Sequence, residues 1–136
     1  MEKIYSKIKP DMLLHLINRK EDITTQRQDL SPEEEGLQVS CFLMNKDGKI
    51  RPHKHIKQLR TTYLTQETWI VIKGSIKITL YDVDDEVIKY EILRPGDCLV
   101  TFGGGHSFIA LEEDTVIYEC KNGPYQGQEK DRVFID

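Results

Sequence analysis

From residue 67 to 105 the chain has no room for a helix of ordinary length. Turn-forming clusters interrupt it before any apolar pattern can run three helical turns. They are Lys73-Gly74-Ser75, Asp82-Val83-Asp84-Asp85, Pro95-Gly96-Asp97 and Gly103-Gly104-Gly105. Pro95-Gly96 suits the centre of a type II turn, where proline fixes the first torsion and glycine accepts the positive one. Between the clusters lie short, alternating, β-branched stretches at 68–72, 76–81, 87–93, 98–102, 107–111 and 115–120. Residues 37–43 alternate in the same way and are followed by the turn Asn45-Lys46-Asp47-Gly48. Short strands with no helices between them predict an all-β antiparallel sandwich or barrel.

The first third reads differently. After Pro10-Asp11, the residues Met12, Leu13, Leu16 and Ile17 recur at helical spacing, and Asp11 could cap a helix there. Ser31-Pro32-Glu33-Glu34-Glu35-Gly36 reads as one short helical turn, with Ser31 as cap, Glu34 as its capping-box partner and Gly36 as the stop. The expected organisation is therefore a short N-terminal helical extension and lead-in (1–36), a barrel (37–121) and a C-terminal tail (122–136). The tail ends in the apolar trio Val133-Phe134-Ile135, expected to dock on the barrel or on a second subunit. A homodimer is the expected assembly.

Composition narrows the function classes. The 136 residues carry 19 basic and 23 acidic side chains, a net charge of −4, which disfavours a nucleic-acid partner. No apolar run approaches the ~20 residues of a membrane span. The N-terminus, Met-Glu-Lys-Ile-Tyr-Ser-Lys, has no apolar signal region, so a cytoplasmic location is expected. Cys41, Cys98 and Cys120 form no CxxC pair and read as reduced thiols.

The chain has four histidines. His53 and His55 are two apart, so on a strand both imidazoles face one way. Glu67 opens a strand on which Trp69 and Val71 share its face, and His106 follows the triple glycine. Three imidazoles and one carboxylate from three strands would make an N3O site with open positions. Such a site suits divalent Fe, Mn, Ni, Cu or Zn rather than calcium or magnesium. His15, alone in the first apolar stretch, reads as a packing or surface residue. The triple glycine is no phosphate loop, since neither Lys-Ser/Thr nor a helix follows it. Its expected role is a tight turn that brings His106 inward.

These residues resemble the two motifs of the cupin superfamily. The first reads Gly48…His53-Lys54-His55…Glu67-Thr68-Trp69-Ile70-Val71-Ile72-Lys73-Gly74, with the usual six residues between glutamate and glycine. The second reads Pro95-Gly96-Asp97 through His106. Eleven residues separate His55 from Glu67, where three or four are usual, which implies a longer connection over 56–66. Phe102 stands at the usual proline, and the usual asparagine after His106 is absent. The resemblance covers about 37–121. It implies a double-stranded β-helix (the cupin jelly-roll barrel), with a metal held inside by His53, His55, Glu67 and His106.

Around that centre the expected pocket residues are Arg51, which shares the His53 face, Arg60 and Tyr63 in the long connection, Trp69 beside Glu67, and Phe102 and Phe108 flanking His106. An arginine there could hold a carboxylate or phosphate. The whole-chain pattern, including 26–33 and Lys121-Asn122-Gly123-Pro124-Tyr125, is similar to small bacterial cupin metalloproteins found with surface-polysaccharide genes. More distantly, it is similar to sugar-nucleotide ketoisomerases, which use a histidine base without metal. This implies a small-molecule ligand such as a sugar or nucleotide sugar. The alternatives are a non-enzymatic binding or sensing barrel, and a non-haem iron dioxygenase.

Overall fold

A computed structural model describes all residues from Met1 to Asp136. Ten strands are β1 (Glu2–Tyr5), β2 (Leu13–Asn18), β3 (Gln28–Asp29), β4 (Ser40–Cys41), β5 (Glu67–Lys73), β6 (Ile76–Tyr81), β7 (Val87–Leu93), β8 (Cys98–Thr101), β9 (Gly105–Ala110) and β10 (Val116–Lys121). The only helical elements are two single 3-10 turns, Lys20–Asp22 and Gln128–Lys130. The chain is all-β.

The strands form three antiparallel sheets, none closed on itself. The largest has the order β1-β2-β8-β5-β10, the second β7-β6-β9, and β3 pairs with β4. The two larger sheets pack face to face. Ile4, Ile17, Trp69, Val71 and Leu99 from the first meet Ile76, Ile78, Leu80 and Leu93 from the second. The other face of the five-stranded sheet is covered too. Leu16, Cys98, Val100 and Phe102 there pack with Leu30, flanked by Leu37, Val39 and Cys41. Strands β2 and β8 are thus buried on both faces.

That double burial corrects the helix expected from Met12 to Ile17: the segment is strand β2. A strand buried on both sides carries apolar residues on both, so its sequence loses the period of two and mimics an apolar helix. The N-terminal extension is part of the sandwich.

The expected turn at 31–36 closes one hydrogen bond, Glu35 N–H to the Pro32 carbonyl (3.1 Å). Ser31 does not cap it; its Oγ accepts from the Val39 N–H instead (3.0 Å). Only Ser40–Cys41 of the strand expected at 37–43 is paired in a ladder. Leu37, Val39 and Cys41 do alternate onto the core, as the pattern implied. Off the ladder, the Leu37 N–H donates to Gln66 Oε1 (2.8 Å) and the Val39 N–H to Ser31 Oγ, while the Val39 carbonyl accepts from the Leu30 N–H (2.8 Å).

Residues 42–66 contain no strand or helix. Asn45-Lys46-Asp47-Gly48 forms the expected turn, with Gly48 N–H to the Asn45 carbonyl at 3.0 Å and Asp47 at φ 64°. The tail returns to the body. Thr65 Oγ1 donates to Asp131, and Ile135 packs against Gly105, while Val133 and Phe134 stay exposed. No helix is long and apolar enough to cross a membrane.

Candidate functional site

One cross-strand row builds the site. In the five-stranded sheet His15 pairs with Thr101, Thr101 with Glu67, and Glu67 with Lys121. Side chains in register on neighbouring strands share a face. All four therefore lie on the face turned toward the second sheet, one row from the apolar line Ile17, Leu99 and Trp69. From the second sheet, β9 supplies His106, in register with the buried Leu80 of β6.

Glu67 and His106 meet. His106 Nε2 lies 3.0 Å from Glu67 Oε2, and both side chains are mostly buried. The bond to His106 holds the Glu67 carboxyl below its usual range; burial opposes this, and the charges of His106 and Lys121 add to it. An ionised carboxylate only accepts, so the Nε2 of His106 carries the proton in this pair. The other ring nitrogen, Nδ1, is buried without a partner. Lys121 Nζ stands 3.5 Å from Glu67 Oε1, 3.5 Å from Glu119 and 3.4 Å from Asp131. Burial would lower the Lys121 pKa, but these three carboxylates together raise it.

Trp69 forms the apolar wall. Its ring meets those of His106 (4.7 Å) and Phe108 (4.8 Å) edge to face, and its Nε1 donates to Glu119 (3.3 Å). On the far side His15 is fully buried. Its Nδ1 lies 3.3 Å from Thr101 Oγ1 and its Nε2 3.3 Å from the Tyr81 carbonyl. Burial pushes its pKa down to about 4, helped by the nearby His106 and opposed by Tyr81 and Asp82.

The triple glycine shapes this corner. Gly104 has φ +69°, and a Cβ there would run into the Tyr81 carbonyl oxygen. Only glycine meets both conditions without strain, and the turn delivers His106 to the inner face.

The other expected site residues lie elsewhere. His53 and His55 stand close together, with ring centroids 5.3 Å apart, on the exposed, strand-free segment 42–64. His53 Nδ1 lies 2.9 Å from the Arg51 carbonyl. Arg51, Arg60 and Tyr63 are exposed on the same segment. Phe102 packs on the opposite face of the five-stranded sheet, with Leu16 and Leu30, and so does not flank His106. Alternation explains this: Leu99 and Thr101 point inward, so Cys98, Val100 and Phe102 point outward. No three His, Cys, Asp or Glu side chains converge on one point.

Thr101, Glu119 and Lys121 were not among the expected site residues, and His15 was expected to have no place at the site. Nothing local in the sequence marks them, because they join it through pairing register.

Comparison with protein-family models, curated proteins and solved structures gives no match. The site must be read from its own geometry.

For a divalent transition metal, the structure brings together two of the four expected donors, Glu67 and His106, and Nε2 would have to give up its proton to serve. Adjacent ligands of an octahedral ion with ~2.1 Å bonds stand ~3.0 Å apart. The Nε2–Oε2 separation of 3.0 Å is that of a hydrogen bond, and it equals this spacing once the proton has left. His53 and His55 would have to join from segment 42–66. The eleven residues between His55 and Glu67 can span more than ~30 Å when extended, so the tether allows it.

Proposed function

We propose that this chain is a metal-binding cupin-type barrel that holds a small polar molecule, such as a sugar or nucleotide sugar, at the open side of the sandwich. The Glu67–His106 pair carries the reading: an imidazole and a carboxylate from opposite sheets meet at 3.0 Å beside a tryptophan. The cupin resemblance of the two motifs supports it.

The open edge of β9 supports it further. Strand β9 pairs with β6 alone, and 49–57 have no ladder partner. If that segment paired along β9, its period of two would turn Arg51, His53 and His55 to one face, and the right register would make it the face of His106. A bound metal would supply Lewis-acid polarisation of a ligand oxygen. The chain's own residues do the rest. Glu67 and His106 hold the centre, the buried Trp69 walls one side, and Lys121 adds to the His106 bond in keeping Glu67 ionised.

The test is elemental analysis of protein purified without chelator, then zinc, iron(II) and manganese titration of the chelator-treated protein. One metal per chain is expected, falling well below one in Glu67→Gln, His106→Ala and His53→Ala. Absence of any binding by the wild type, or equal occupancy in all variants, rejects the reading.

Lys121 favours a second reading. Its ammonium already neutralises Glu67 at 3.5 Å, as a metal would. Glu67 and His106 would then be a metal-free proton-transfer dyad. Metal-independent ligand binding that is lost in His106→Ala but kept in His53→Ala would select it.

A further inference from the structure

Residues 49–60 carry Lys49, Arg51, Lys54, Lys57 and Arg60 and no acidic residue. The other fourteen basic residues of the chain face all twenty-three acidic ones. The segment is thus a concentrated cation on an acidic body, yet the body does not neutralise it. None of the five side chains makes an ion pair or a hydrogen bond, whereas Arg19, Arg27, Lys73, Lys89 and Lys121 are all paired. The five are exposed, and so are their apolar neighbours Ile50, Ile56 and Leu59 (96% exposed).

We propose that residues 49–60 bind a small molecule through a polyvalent phosphate group, a diphosphate in chemical class. A monocarboxylate would answer a single guanidinium, whereas five cations on twelve residues match several negative charges close together. Arg51 lies two residues from His53 and four from His55. On extended backbone the guanidinium and both imidazoles share a face, and an arginine fork takes two phosphate oxygens at once. A long polyanion fits less well, because it would also cross the surplus of carboxylates on the rest of the chain. The unpaired backbone and exposed apolar side chains are those of a segment that orders when its charge is met. This names the ligand class within the proposed function, but it does not require the metal.

The experiment is calorimetric titration of the chelator-treated full chain with inorganic pyrophosphate and with ADP, alongside hydrogen exchange over 49–60. Both ligands are expected to bind and to protect that segment. Arg51→Gln combined with Arg60→Gln is expected to weaken both about tenfold or more. Its thermal unfolding should be unchanged, because both side chains are exposed and neither is hydrogen-bonded or ion-paired. Absence of binding, or equal affinity in the double variant, overturns the proposal. Tighter binding of a short single-stranded RNA or of phosphatidylglycerol vesicles overturns it as well, by giving the segment to a macromolecule. Glu67→Gln separates the two readings. A variant without metal that binds pyrophosphate like the wild type leaves this inference standing, and a metal-loaded wild type that ignores pyrophosphate removes it alone.

Discussion

Glu67 and His106, thirty-nine residues apart, join the two sheets of the sandwich through one contact of 3.0 Å. Glu67 opens β5 in the five-stranded sheet and His106 lies in β9 of the other. The carboxylate also balances Lys121. Glu67→Gln keeps the shape but removes the charge, and should cost about 1–2 kcal/mol in urea unfolding. Lys121→Met should cost less in the Glu67→Gln background than in the wild type, by a coupling of about 0.5 kcal/mol or more. Strict additivity would show that the three groups do not act together.

Gly104 combines a positive φ with a backbone oxygen where its Cβ would be. Gly104→Ala should therefore destabilise by more than ~2 kcal/mol, torsional strain and collision adding. Urea unfolding measures the loss. A cost of ~1 kcal/mol, the torsional part alone, would mean that the Tyr81 carbonyl moves aside freely.

Asp97 ties the N-terminal strands to the Pro95-Gly96-Asp97 turn. It is buried and accepts from Arg19 Nη1 (2.9 Å), the Arg94 N–H (2.9 Å) and the Lys20 N–H (3.1 Å). Asp97→Ala leaves the Lys20 and Arg94 N–H groups without their acceptor, while Arg19 keeps Glu91 and the Ile92 carbonyl, and should cost about 2–3 kcal/mol. Glu91, the more exposed partner of Arg19 at 3.2 Å, should cost under ~1 kcal/mol as Glu91→Gln. Chemical denaturation of both variants checks the ranking, and a larger loss at Glu91 would refute it.

What the sequence revealed depends on how local the cause was. Strands β6 and β7 were legible to the residue, because Ile76, Ile78 and Leu80 alternate between hard turns and face one core only. Strand β2 was not, because its residues serve two cores and the alternation vanished. Glu67 and His106 were legible because each sits in a glycine-bounded frame. His15, Thr101 and Lys121 were hidden, since their place is fixed by the register of β2, β8, β5 and β10, which no single segment encodes. Phe102 was misplaced for a simpler reason: nearness to His106 in sequence outweighed the parity that sends it to the opposite face.

The three thiols should separate by burial. Burial pushes Cys98 up to about 11, and Cys41, half-buried, is raised as well; Cys120 is exposed. The thiolate is the reactive form. Iodoacetamide at neutral pH should therefore modify Cys120 first and Cys41 more slowly, and Cys98 only after unfolding. Early labelling of Cys98, read by peptide mass, would contradict its place between Thr68 and Leu99.

His15 sets the acid limit of stability. Its pKa falls from 6.5 to about 4 in the fold, so the unfolded chain binds the extra proton between those values. Stability is then fully present above about pH 6.5 and declines as pH drops toward 4, by about 3 kcal/mol in all. The carboxylates act lower. Glu67, Glu91 and Asp131 are held below their usual range, so their contribution is lost only as pH falls through those depressed values. Between pH 6.5 and 4 the shift at His15 is the one that acts, with His106 and Asp82 facing it. Unfolding free energies across that window should slope by close to one proton in the wild type and flatten in His15→Gln. A His15 imidazole resonance titrating near 6.5 in the folded protein would remove the effect, and with it the neutral, buried histidine at the back of the site.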